Sequence, residues 1–157
     1  MTERGADEAA ERQAQKQAKL DAFADEVLDQ AGQAAEALRR MSQKEVDRLV
    51  EAAFRAAFNA RLALAQQAVE ETGVGVIADK TTKNAWAALV VYRQIRDRRT
   101  VGIIDEDPVR GLITIAEPRG PVLAFTPLTN PTSTVIHDVL IALKGRNPLI
   151  LSPHRAA

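Results

Sequence analysis

Large apolar residues are sparse over the first forty positions, and from there they recur with a helical beat. Leu20, Phe23, Val27 and Leu28 mark one amphipathic helix in a stretch otherwise rich in Ala, Gln, Glu and Lys. The first dozen residues carry no such stripe and are expected to fray. No a/d heptad persists, which argues against a coiled coil. "SQKE", Ser42 to Glu45, has the form of a capping box and opens a second helix. Along that helix Phe54, Phe58, Leu62, Ala65 and Val69 recur at steps of four and three as one apolar stripe. "ETGVG" ends it, with Gly73 free to take the left-handed turn. Asp79 is placed to cap a third helix through "KNAWAALVVYRQIRDRR", with Trp86, Leu89, Val90 and Arg93 on one face. Trp86 and Tyr92 there read as core or interface rather than as a stacking platform.

From residue 100 the pattern changes to short β-rich runs. "TVGII" and "GLITIAE" flank the turn-like "DEDPVRG" and predict a hairpin. "PVLAFT" is apolar without alternation, the texture of a strand buried on both faces of a parallel sheet. "VIHDVLIALKG" is apolar almost all round, a helix packed on that sheet, with Lys144 and Gly145 at its end. "NPLILS" repeats the buried-strand texture. Strand, helix, strand makes one right-handed βαβ unit, the opening of a doubly wound sheet. Two parallel strands cannot cover their own faces, so the expectation is the front part of a larger α/β domain.

Composition narrows the chemistry. The 157 residues are 46% hydrophobic and 27% charged, with 21 Lys plus Arg against 21 Asp plus Glu. That balance offers no electrostatic footing for nucleic acid or an anionic membrane. No run reaches membrane-span length, and "MTERGADEAAERQAQ" has no signal-peptide apolar core, so cytoplasmic residence is the default expectation. Cysteine is absent, which excludes a disulfide, a thiolate metal site and a cysteine nucleophile within these residues. The two histidines, His137 and His154, have no carboxylates at metal-ligand spacing, so no metal is expected.

The junction "TPLTNPTST", residues 126–134, carries one amide between two prolines. Read from the residues, Asn130 has two roles open to it. As an N-cap it precedes Pro131 at the first helical position, where a missing N–H costs nothing. As a functional group it lies at a helix N-terminus beside a strand's carboxyl end, where α/β sheets bind ligands and a rigid amide can donate to an oxyanion. There is no G-x-G-x-x-G. His137 reads as a packing or surface residue, the acidic "DEDP" turn as solvated, and Arg119 and Arg146 as exposed residues beside turn glycines.

"TVGIIDEDPVRGLITIAEPRGPVLAFTPLTNPTST", then "ALKGRNPLILSPH", with "EETGVGVIADKTTKN" upstream, closely resembles the CoA-acylating branch of the aldehyde dehydrogenase superfamily, above all the N-terminal part of bifunctional aldehyde–alcohol dehydrogenases. The resemblance covers about residues 40–157. It implies a variable helical extension at 1–40, then at 41–157 the incomplete N-terminal part of a Rossmann-like NAD-binding domain: helices, a β-hairpin and the first βαβ unit. It implies that Asn130 donates its amide to the oxygen of the bound aldehyde and its thiohemiacetal, leaving Thr132 or Ser133 to cap the helix. Thr126, Pro127, Leu128 and Thr129 would line the nicotinamide cofactor's cleft, with Ser152, Pro153 and His154 against the adenosine ribose. Wider aldehyde dehydrogenases have Lys where Ser152 stands, and the resemblance favours NAD over NADP. Thr129, where others have Trp, suits a pocket open to an acyl-CoA. The implied reaction takes aldehyde, coenzyme A and NAD to acyl-CoA and NADH, with acetaldehyde the first substrate expected. Succinate semialdehyde, a sulfoaldehyde and propanal are the alternatives among acylating members. The nucleophilic cysteine lies beyond these residues in complete members, which assemble as homo-oligomers or filaments, so the chain alone is expected to be inactive. A noncatalytic binding or assembly module derived from the enzyme is the alternative.

Overall fold

The computed structural model describes residues 3–155, with side chains from residue 11 onward. Helix α1 spans Glu3–Arg39, α2 Gln43–Thr72 and α3 Ile77–Ile95. Strands β1 (Gly102–Asp107) and β2 (Leu112–Ala116) follow, then β3 (Val122–Thr126), α4 (Pro131–Lys144) and β4 (Leu149–Pro153). β1 and β2 form an antiparallel hairpin with a register shift between Ile103 and Asp105. β3 and β4 pair in parallel through α4, in the register Val122↔Leu149 to Thr126↔Pro153. The hairpin and the βαβ unit expected from the sequence are both present, as separate two-stranded sheets.

The core lies among α2, α3 and α4. Val46 and Val50 of α2 meet Ala87, Ala88 and Val91 of α3 and Ile136 and Leu140 of α4. Alanines on α3 let the helices approach closely, and Phe54 and Tyr92 stack with ring centroids 4.3 Å apart. The predicted stripes are rotated relative to this core. On α2, Phe54 and Phe58 are half-buried and Leu62 is exposed, while Val46, Val50, Ala65 and Ala68 go deepest. On α3 the buried face is Lys80, Asn84, Ala87, Ala88 and Val91, and Trp86 stands 63% exposed. A polar residue satisfied by a neighbour is buried as completely as an apolar one, and a hydropathy stripe is blind to that neighbour.

Other boundaries also differ. α3 begins after Val76 with no side-chain cap, so Asp79 lies in its first turn instead of before it. α1 is helical from Glu3, through the stretch expected to fray, and residues 1 and 2 lie outside the described part. At the end of α4 Gly145 has φ −82°, and the left-handed residue is Arg146 at φ 58°. At Gly145 an added Cβ would sit 2.7 Å from Asn147 Nδ2, so the Asn147 side chain, whose Oδ1 accepts from the Arg119 and Gly120 N–H groups, would have to shift. Lys144 is buried, and its Nζ donates to Asp47 Oδ1 at 2.6 Å and to the Arg96 carbonyl at 2.9 Å. β3 and β4 are open, as two parallel strands without sheet neighbours must be: Phe125 is 73% exposed, and Leu123 and Leu151 are exposed too.

The capping box is intact. Ser42 donates to the Glu45 carboxylate from its hydroxyl at 2.7 Å and from its backbone N–H at 2.8 Å. The hydroxyl bond first, and the backbone bond next, hold the Glu45 pKa below its ordinary value. A lowered folded pKa contributes stability above the unfolded value, lost as pH falls through the folded one. Ser42→Ala is expected to cost about 1 kcal/mol at neutral pH. Urea titrations should show the gap from wild type narrowing in acid, once Glu45 is protonated in both.

Candidate functional site

The site is assembled where β3 runs out. Residues 127–130 leave the strand's carboxyl end, and Pro131 starts α4 with its φ already set for a helix. Asn130 occupies the N-cap position at φ −137°, ψ 52°, but its side chain makes no capping bond. Its backbone carbonyl takes the first helical bond, from the Thr134 N–H at 3.2 Å. The amide is engaged elsewhere: Oδ1 accepts from Lys83 Nζ at 3.1 Å, and Nδ2 donates weakly to Thr129 Oγ1 at 3.4 Å. Thr132 does not take over the cap. Its hydroxyl donates to Asn84 Oδ1 at 2.9 Å, and Asn84 Nδ2 donates to the Arg61 carbonyl at 3.0 Å. Asn84 is only 1% exposed, and a buried amide needs both ends paired, which is why the hydroxyl is drawn to it.

A second lysine fixes the same loop. Lys80 is buried and donates to the Thr129 carbonyl at 2.9 Å. Its stem lies over Gly75, where φ is +86° and an added Cβ would stand 3.1 Å from Lys80 Cε. Lys80 and Lys83 sit one turn apart on α3 and hold consecutive residues of the junction. Between α3 and α4 lies a hollow of about 580 Å³, lined by Thr82, Lys83, Trp86, Asn130, Ser133 and His137 among others. Trp86 supplies an apolar wall, so it belongs to this rim and not to the core. His137 is on the surface, with Nδ1 2.9 Å from Asp138 Oδ1.

The remaining candidates form a second group at the strand ends. Thr126 is buried and lies opposite Pro153, and its carbonyl accepts from the His154 N–H at 3.2 Å. Ser152 is half-buried opposite Phe125, Pro127 and Thr129 are exposed, and Leu128 is half-buried. The fold therefore brings Thr126, Ser152, Pro153 and His154 together, and Thr129 with Asn130 beside α3. Of the two arginines, Arg119 is exposed. Arg146 is 6% exposed, contrary to expectation, and its guanidinium donates to the carbonyls of Arg39 at 3.0 Å and Ala116 at 2.9 Å. It ties α1 to the hairpin. In the acidic turn, Asp107 accepts from the Val109 and Arg110 N–H groups, while Asp105 and Glu106 are exposed. Among the described residues no cluster of His, Cys, Asp or Glu could hold a metal, and no helix is long and apolar enough to cross a membrane.

Lys80, Lys83 and Asn84 were missed by sequence reasoning. The signal was available, since "DKTTKN" places polar residues three and four apart on the helix flank that faces α4.

Residues 7–157 match the aldehyde dehydrogenase family, and the chain belongs to it. The proteins it is similar to include acetylating enzymes. It is 47% identical over 116 residues to the bifunctional aldehyde-alcohol dehydrogenase AdhE of Escherichia coli, covering 74% of this chain and 13% of that protein. It is 41% identical over 124 residues to the acetylating succinate-semialdehyde dehydrogenase of Clostridium kluyveri, covering 79% of this chain and 27% of the relative. The fold matches the crystal structure of an acetylating aldehyde dehydrogenase from Geobacillus thermoglucosidasius with a TM-score of 0.82 and 48% identity, over 83% of this chain and 29% of that one. The four helices and two small sheets of the described residues thus correspond to part of an aldehyde dehydrogenase domain.

Proposed function

We propose that residues 41–157 are the N-terminal part of an NAD-dependent, CoA-acylating aldehyde dehydrogenase that converts aldehyde, coenzyme A and NAD to acyl-CoA and NADH, with acetaldehyde as the substrate. The observation that carries this is the Asn130 side chain, which makes no capping bond, is held by Lys83 and lines the hollow beside Trp86. A carbonyl oxygen placed against Nδ2 would gain a hydrogen bond that strengthens as negative charge develops. The attacking thiolate is supplied from outside these 157 residues, which contain no cysteine. NAD, when bound, is the hydride acceptor.

The strand ends suit a dinucleotide in part. Thr126, Pro153 and His154 sit side by side at the carboxyl ends of parallel strands, where such ligands bind. Ser152 offers a hydroxyl to a ribose, in keeping with NAD in preference to NADP. We assign Thr126, Pro127, Leu128 and Thr129 to the nicotinamide side of this cleft and Ser152, Pro153 and His154 to the ribose side. Residues 1–40 are assigned as a variable helical N-terminal extension, the reaction to the cytoplasm, and the complete enzyme to a homo-oligomer or filament.

The test is a graft of residues 41–157 into the Geobacillus acetylating aldehyde dehydrogenase, replacing the matching segment and keeping the host's cysteine. NADH formation dependent on both aldehyde and coenzyme A is expected. A folded hybrid with an alkylatable cysteine and no such NADH would overturn the reading. Calorimetry on the 157-residue chain alone should detect no tight NAD binding, because two strands form only part of a dinucleotide cleft. A second reading, an assembly module without chemistry of its own, is favoured by one feature. Leu20, Phe23 and Leu28 of α1 are all exposed. Self-association of the chain in sedimentation, abolished by making these three polar, would support it alongside an inactive graft.

A further inference from the structure

We propose that Lys83 is a positioning residue for Asn130, deciding which end of its amide meets the substrate oxygen; the inference rests on the reading of Asn130 as oxyanion donor. The two ends of an asparagine amide have nearly the same size and shape, and only hydrogen bonding tells them apart. Turned one way, Asn130 offers N–H groups to a developing oxyanion. Turned the other, it presents a carbonyl oxygen that repels the same charge. Nothing in the loop backbone makes that choice, since the Asn130 side chain has no bond to its own helix.

Lys83 makes it. An ammonium has three donors and no acceptor, so the atom it holds at 3.1 Å must be Oδ1. The amide nitrogen is thereby turned away from α3. It has two hydrogens, and among the described residues its one protein partner is Thr129 Oγ1, at a long 3.4 Å. Its second N–H has no protein partner among the described residues and is left for a ligand. A cation on Oδ1 also draws electron density from the amide and strengthens its N–H as a donor. Lys80, one turn earlier, holds the Thr129 carbonyl at 2.9 Å and keeps the loop within reach of Lys83. The two lysines divide the work: Lys80 sets where the loop lies, and Lys83 sets how the amide faces.

The grafted enzyme provides the kinetic test. Lys83→Met is expected to lower kcat about tenfold with KM for NAD and for aldehyde nearly unchanged, a partial loss of a donor whose full removal costs about a hundredfold or more. Lys83→Arg, which keeps donor and charge, should restore most of that loss. Should Asn130→Ala lower turnover while Lys83→Met does not, the inference fails and the oxyanion reading stands. Should Asn130→Ala itself change nothing, the oxyanion reading fails. A rise in the KM for NAD matching the fall in kcat would mark Lys83 as merely structural and also overturn the inference. A second readout needs no activity. In 15N-labelled 157-residue chain, the Asn130 side-chain NH2 resonances should move on Lys83→Met and return on Lys83→Arg. If they are unmoved by Lys83→Met, Lys83 does not orient the amide.

Discussion

Asn130→Ala in the grafted enzyme is expected to lower kcat by about a hundredfold or more, while NAD affinity changes little. The size follows from what the group does. A donor that strengthens only as charge builds on the carbonyl oxygen acts on the transition state, so its loss falls on kcat and kcat/KM together. Stability should hardly change, because the Asn130 side chain makes no capping bond and the first helical bond goes to its backbone carbonyl, which Ala keeps. Two measurements separate the candidate roles. Steady-state kinetics with a thermal melt should give a slow enzyme of nearly unaltered Tm. A fast enzyme with a lowered Tm would return Asn130 to the role of helix cap. Asn130→Asp should be at least as slow as Ala, since a carboxylate offers no donor and brings like charge to the oxyanion.

Asn84→Leu carries the largest expected loss of stability, about 2–3 kcal/mol. Asn84 is fully buried where three helices meet, receiving the Thr132 hydroxyl of α4 and donating to the Arg61 carbonyl of α2. Leucine has similar volume, so the cost comes from polar atoms left without partners and not from a void. Urea unfolding should show a lower midpoint with the slope unchanged. Because Thr132 is two residues from Asn130, the graft should also lose activity, through misplacement of the α4 N-terminus. Asn84→Asp supplies a sign test. Burial raises the pKa of a carboxyl at that position above its unfolded value, so the folded state binds its proton more tightly. Stability should therefore rise as pH falls below that raised value, where the protonated acid can again donate to the Arg61 carbonyl. No acid recovery would mean that the Arg61 bond does not hold the helices together.

Much of this architecture is legible in the sequence. The capping box at Ser42, the left-handed Gly73, the hairpin around "DEDPVRG" and the strand–helix–strand run through residue 153 are local rules written in local residues. The reading failed where a residue's environment comes from distant chain. Arg146 looks like an exposed turn residue until Arg39 and Ala116 arrive with their carbonyls. Lys144 reads only as the residue that ends its helix, and its burial against Asp47 is not visible in the local pattern. Trp86 reads as core or interface in its helical pattern, and the core half fails because the alanines beside it make the close contact while it stands exposed on a rim.

From Ser42 onward the sequence by itself determined which segments are helix or strand, that the last two strands are joined through a helix, and that a lone amide sits at the junction. Capping, turn chemistry and periodicity act over a few residues, so they need no partner to be read. Only the tertiary structure decided what that amide does with its two ends. Lys83 is forty-seven positions away along the chain, and its hydrogen bond to Asn130 exists because α3 and α4 pack side by side. Hydrogen bonds between distant segments depend on where helices lie in space, and a one-dimensional pattern does not carry that information.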